Sequence, residues 1–119
     1  MFSQTTVIDS VRNKLRNEAH DTTYVKDLNE LAWQFLELSS DSSNKYVQLA
    51  LKEAKALEFL DGEIDAKNTL GILYRFGDDS DKAIKLYKEI HDLRLRQGRL
   101  DKLTAVYSNL GSVYYDKGD

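Results

Sequence analysis

Two apolar sets with identical internal spacing constrain this chain more than any other feature. Val47, Ala50, Leu51, Ala54 and Leu57 step by 3, 4, 7 and 10 residues from the first member, and so do Ala83, Leu86, Tyr87, Ile90 and Leu93. Such steps place all five side chains on one face of an α-helix. The second set follows the first at an offset of 36, with Lys52-Glu53 returning as Lys88-Glu89 and Gly62 as Gly98. A chain that repeats a helical face at this interval is built of stacked units, each needing a neighbour to bury its apolar side.

A second kind of segment alternates with the first. Leu28 to Phe35 aligns with Lys67 to Tyr74 and with Tyr107 to Tyr114, and a small residue recurs at Ala32, Gly71 and Gly111. An aromatic ring follows three residues later each time, as Phe35, Tyr74 and Tyr114. A glycine inside a helix costs about 1 kcal/mol relative to alanine. Gly71 and Gly111 are therefore expected to admit a partner helix close to the backbone, with Ala83 and Tyr87 of the returning helix lying against Gly71.

The boundaries fit alternating helices. Asp41-Ser42-Ser43-Asn44 and Asp78-Asp79-Ser80-Asp81 are suited to cap free amide groups at helix starts. Gly62, Gly98 and Gly118 fall where helices should stop or bend. The pattern predicts an all-α chain of about six helices, near 5–19, 22–39, 44–60, 63–76, 80–97 and 100–117. Helices three and four are expected to meet through a very tight or continuous connection, because Gly62 lies closer to Gly71 than Gly98 does to Gly111. The organisation that follows is an N-terminal helix over residues 1–21, a first repeat over 22–62, a second over 63–99, and the first helix of a third over 100–119.

The absence of proline suits helices joined by short turns. A net charge of -3 without a basic block argues against a nucleic-acid surface. With no cysteine, disulfides and Cys-based zinc sites are excluded. No apolar run approaches the ~18 residues of a membrane span, so this segment is expected to make no membrane contact. His20 and His91 lack a second ligand type at metal-binding spacing. Asp78-Asp79-Ser80-Asp81 lacks the glycine and late glutamate of a calcium loop. No serine elbow or phosphate-cradling glycine loop occurs. The expectation is a chain without catalytic residues, metal or cofactor.

The pattern Leu70-Gly71…Tyr74…Ala83…Tyr87 resembles the tetratricopeptide repeat, over about residues 7–119. The long period of about 40 residues resembles the variety found in kinesin light chain. The opening helix Val7-Ile8-Asp9-Ser10-Val11, then Asp21-Thr22-Thr23-Tyr24-Val25, is similar to extracytoplasmic repeat arrays of Bacteroidetes sensor kinases and adenylate cyclases. The first repeat departs from the pattern, with Ala32 for glycine and Val47 or Tyr46 where alanine is usual. The repeat-ending proline is absent throughout.

The resemblance implies an antiparallel helix-hairpin solenoid with a right-handed superhelix, and a protein- or peptide-binding function. It places the first helix of each hairpin along a groove. Carried over by position, the groove residues are Asn29, Trp33 and Leu36, then Asn68, Ile72 and Arg75, then Ser108, Ser112 and Tyr115. An asparagine there can both donate to and accept from an extended peptide backbone. The competing roles are equally concrete. Asn29 and Asn68 are alternatively bridges between helices, Trp33 is more often core than platform, and Arg75 is alternatively paired with Asp78 or Asp79. The lysines and arginines of a carboxylate clamp are missing.

The last helix carries Leu103, Val106, Tyr107, Leu110, Val113 and Tyr114, which is apolar for a solvent-facing cap. Val106, Tyr107, Leu110 and Tyr114 are expected to form an open end through which copies associate, the chain reading as a piece of a longer array. Met1-Phe2-Ser3-Gln4 resembles the residues around a signal-peptidase cut, implying a periplasmic or extracytoplasmic location; the alternative is a native cytoplasmic start. A structural spacer or oligomerisation segment without ligand is the alternative function.

Overall fold

A computed structural model of the chain describes residues 3–16 and 19–118. Met1 and Phe2, on which the leader reading leans, and the predicted extension of the first helix over Asn17 and Glu18 lie outside the described residues. The described residues form six α-helices and one short 3-10 turn, and no strand. They are α1 (Gln4–Leu15), α2 (Thr22–Phe35), α3 (Ser40–Ala56), α4 (Leu60–Phe76), α5 (Ser80–Arg96) and α6 (Leu103–Lys117), with the 3-10 turn at Leu100–Lys102. The all-α, six-helix expectation holds, and neighbouring helices pack on one another as in a helical hairpin repeat.

The repeat is more regular than the sequence suggested. α3, α4 and α5 are each 17 residues long and are followed by three-residue turns. A left-handed backbone residue recurs every twenty positions in these turns and at the end of α6: Glu58 (φ 53°), Asp78 (φ 58°), Gly98 (φ 68°) and Gly118 (φ 86°). In the first three, the following amide bonds back five residues in the same way. Phe59 N–H donates to Ala54 O at 2.8 Å, Asp79 to Tyr74 at 2.8 Å and Arg99 to Arg94 at 3.0 Å. This is the Schellman closure, which satisfies the last free carbonyls of a helix. Glycine meets its backbone requirement at Gly98 and Gly118, whereas Glu58 and Asp78 meet it at a cost.

That geometry corrects three expectations. α3 begins four residues early because Ser39, not the Asp41–Asn44 run, is its N-cap, its hydroxyl accepting from Ser42 N–H at 3.2 Å. The helix also ends early, and the connection to α4 is a tight turn rather than a continuous helix. Gly62 does not stop a helix: it lies in the first turn of α4. Finally, the offset between α3 and α5 is 40, not 36. The buried positions Ser43, Val47, Ala50 and Ala54 correspond to Ala83, Tyr87, Ile90 and Arg94. The alanine of the repeat pattern therefore has Ser43 as its counterpart, not Val47 or Tyr46. An apolar helix face looks alike when shifted by one turn, so the 36-residue match was one turn out of register.

The chain divides into two compact units, residues 1–69 and 70–119, with α4 contributing its first part to one and its last part to the other. In the first unit, Val25, Leu28, Leu31, Ala32 and Phe35 form the buried stripe of α2. Ile8 of α1 joins Leu31 and Phe35 in one cluster, with Val11, Leu15 and Tyr46 around it. The rings of Phe35 and Tyr46 stack at 5.7 Å. The Ser43 hydroxyl, fully buried, donates to Ala32 O at 2.7 Å. Burying each large apolar side chain is worth about 1.5–3 kcal/mol, so these stripes fix which face of each helix turns inward.

In the second unit, α5 turns Ala83, Ile84, Tyr87 and Ile90 inward, and α6 contributes Val106 and Val113. Gly71 does what its position implied. A Cβ added there would lie 2.8 Å from Tyr87 Cζ and 2.9 Å from its hydroxyl, so the α5 ring rests on bare α4 backbone. Gly111 does not: nothing lies within 4 Å of the corresponding point.

Candidate functional site

α2 and the first part of α4 face each other across a cleft of about 340 Å³ in the first unit. The α2 wall is Lys26, Asn29, Glu30 and Trp33, at steps of 3, 4 and 7 along one face, and the α4 wall is Asp65, Asn68 and Thr69. The helices approach closely here because Gly62 has no side chain. A Cβ at Gly62 would lie 2.6 Å from Val25 Cγ1 and 2.7 Å from Phe59 Cδ2. The Asn29 side chain spans the same junction, its Nδ2 donating to Gly62 O at 3.0 Å. Its Oδ1 is shut off from solvent and accepts no bond among the described residues. Asn29 therefore acts as the bridge between helices that sequence reading held as the alternative to ligand binding.

Asn68 differs. It is half-buried on the cleft wall, and its amide has no hydrogen-bond partner among the described residues. Thr69 is buried and its hydroxyl turns back to Asp65 O at 3.3 Å, as threonines within helices do. Trp33 corrects the expectation that such a residue would be core, since it is 54% exposed and forms a wall of the cleft. Leu36, taken with it as a groove residue, is instead buried. At the cleft's edge Glu30 Oε1 accepts from Gln34 Nε2 at 3.0 Å. The Lys26 ammonium stands 6.0 Å from the centre of the Phe59 ring, and Phe59 does not line the cleft.

The remaining predicted groove positions belong to the second unit. Ile72 and Arg75 are half-buried. Arg75 is not paired with Asp78 or Asp79; its Nη2 and Nε reach Asp116 Oδ2 of α6 at 2.8 and 2.9 Å. That ties α4 to α6 and occupies the guanidinium. Ser108 and Ser112 are exposed, with the Ser112 hydroxyl donating to Ser108 O at 3.0 Å within the helix. Tyr115 is 86% exposed.

The expected self-association set separates. Val106 is buried inside the unit and is withdrawn from it. Leu110 and Tyr114 are half-buried, and Tyr107, although exposed, has its hydroxyl 3.2 Å from His91 Nε2. The open surface of α6 thus runs through Tyr107, Gly111 and Tyr115.

Among the described residues no three His, Cys, Asp or Glu side chains converge as metal ligands, and no helix is long and apolar enough to cross a membrane. No protein-family model, curated protein or solved structure matches the chain.

Proposed function

We propose that the chain is a protein-binding module of the tetratricopeptide-like kind, in which the α2–α4 cleft holds an extended peptide segment. The observation that carries this reading is that Asn29, Trp33 and Asn68, chosen by repeat position, line one cleft. Trp33 offers an exposed aromatic wall, Asn68 an amide able to donate and accept, and Asn29 fixes the spacing of the two helices. A volume near the lower end of the ~300–1,000 Å³ typical of ligand sites suits one or two side chains of a longer segment. The reading assigns no catalysis to the chain, and it places the module within a larger signalling protein with an extracytoplasmic sensor region.

Trp33 is the sole tryptophan, so its fluorescence reports on the cleft directly. Peptides selected on the protein should shift that emission, and Asn68→Ala should weaken binding by about tenfold, the loss of roughly one hydrogen bond, with unchanged melting. Asn29→Ala should instead lower the melting temperature. Selected peptides that bind equally well to Trp33→Ala and Asn68→Ala would reject the cleft as the binding site. The Asn29 bridge favours the second reading, a spacer whose polar residues serve only to join helices. Under that reading no peptide binds in a Trp33-dependent manner.

A further inference from the structure

We infer that two copies of this chain pair through α6, antiparallel about a two-fold axis at Gly111, with Tyr107 of each copy packed beside Tyr115 of the other. Tyr107, Gly111 and Tyr115 stand four residues apart and form one ridge on the open face of the helix. Tyr107 is 57% exposed and Tyr115 86%, and among the described residues no atom lies within 4 Å of where a Gly111 Cβ would stand. The ridge is thus a notch between two rings, and it reads the same in both directions. A second copy laid antiparallel across it fits notch to notch. The two backbones then approach closely, and each ring meets a ring of the other copy, a contact worth more than its area alone. A patch that is its own complement is what a two-fold interface requires.

Comparison with α4 shows that this ridge is particular to α6. Four residues either side of Gly71 stand Lys67 and Arg75, in ion pairs with Glu63 Oε2 at 3.2 Å and Asp116 Oδ2 at 2.8 Å. Gly71 receives a ring from α5, and its ridge offers none of its own. On α6 both flanking positions are tyrosines, so one face supplies the gap and the rings together. Tyr107 is also held in place, its hydroxyl 3.2 Å from His91 Nε2, so less freedom is lost when a second ring packs on it. At about 200 Å² per tyrosine, the exposed parts of the two rings offer roughly 290 Å² on each copy and about 600 Å² for the pair. Leu100, Thr104, Ser108 and Ser112 are exposed beside the ridge and extend this towards the ~1,200 Å² of the smallest stable interfaces. The pair is therefore weak, with a Kd on the order of 100 μM. At the low-micromolar concentrations of a melting experiment the chain is single.

Sedimentation velocity of the chain from about 10 μM to about 1 mM should show single copies giving way to pairs and to nothing larger. Tyr115→Ser should weaken the pairing at least about tenfold. The axis is tested separately. The chain has no cysteine, so Gly111→Cys and Thr104→Cys each place one thiol on the exposed side of α6. A two-fold axis at residue 111 brings the two Gly111→Cys thiols within disulfide reach, whereas the two Thr104→Cys thiols stand about 20 Å apart along the antiparallel helices. Mild oxidation should therefore link Gly111→Cys into a dimer at least about tenfold faster than Thr104→Cys. Circular dichroism checks that each variant keeps its helices. A chain that stays single throughout, assemblies larger than a pair, pairing undiminished by Tyr115→Ser, or equal linking rates would each overturn the inference.

Discussion

Leu70-Gly71-x-x-Tyr74 on α4 and Leu110-Gly111-x-x-Tyr114 on α6 are nearly the same sequence forty residues apart, yet they have opposite surroundings. Gly71 is buried beneath the Tyr87 ring, whereas Gly111 is exposed, and among the described residues no side chain lies within 4 Å of where its Cβ would stand. The local motif is therefore not what buries a glycine; the helix lying across it is. The comparison also separates two roles of an aromatic residue. Tyr87 fills space against backbone, while Tyr107 and Tyr115 form an outward surface.

Removing the rings should give the widest separation between the two regions. Tyr87→Ala should cost about 3–5 kcal/mol, the usual range for emptying a buried aromatic site. Tyr115→Ala should change stability by no more than about 0.5 kcal/mol. Paired chemical denaturation curves check this, and similar midpoints for the two variants would break the contrast. A smaller effect concerns the Tyr87 hydroxyl, which is buried beside Gly71 without a hydrogen-bond partner among the described residues. Tyr87→Phe should raise stability by up to about 1 kcal/mol, because an unsatisfied polar group is removed from the interior.

The same hydroxyl predicts a pH dependence. Burial pushes the Tyr87 pKa up, and the nearby Arg75 charge offsets this in part. The folded chain therefore holds that proton more tightly than the unfolded chain, whose tyrosines ionise near ~10. Tyr87's contribution to stability is full below that value and is lost as pH rises above it. Melting temperatures followed into alkaline solution should fall less steeply for Tyr87→Phe than for the unaltered chain.

Helix number, order and type were legible in the sequence because a buried helical face imposes its own spacing. The two glycines and Tyr87 were legible as a packing device for the same reason. What was not legible had physical causes. Ser39, Ser40, Asp41, Ser42, Ser43 and Asn44 can all cap a helix, and only burial of Ser43, Val47, Ala50 and Ala54 decides among them. Glu58 takes a left-handed conformation without announcing it, because the Schellman closure of the helix end sets its backbone, not its own preference. Gly62 looked like a helix stop because glycine serves both turns and close approaches, and only the neighbouring Val25 and Phe59 distinguish them. In the cleft, residue choice by repeat position found Asn29, Trp33 and Asn68. It could not tell that Asn29 would be engaged by Gly62 O and Asn68 not.

The most direct measurement is the thermal stability of Gly71→Ala and Gly111→Ala side by side. Each gains about 1 kcal/mol of helix propensity. At Gly71 the methyl also drives into Tyr87, and overpacking of this kind costs about 1–3 kcal/mol. Gly111→Ala is therefore predicted to melt above the unaltered chain and Gly71→Ala at or below it. Equal stabilisation of both would contradict the claim that a missing side chain on α4 is what seats the facing helix.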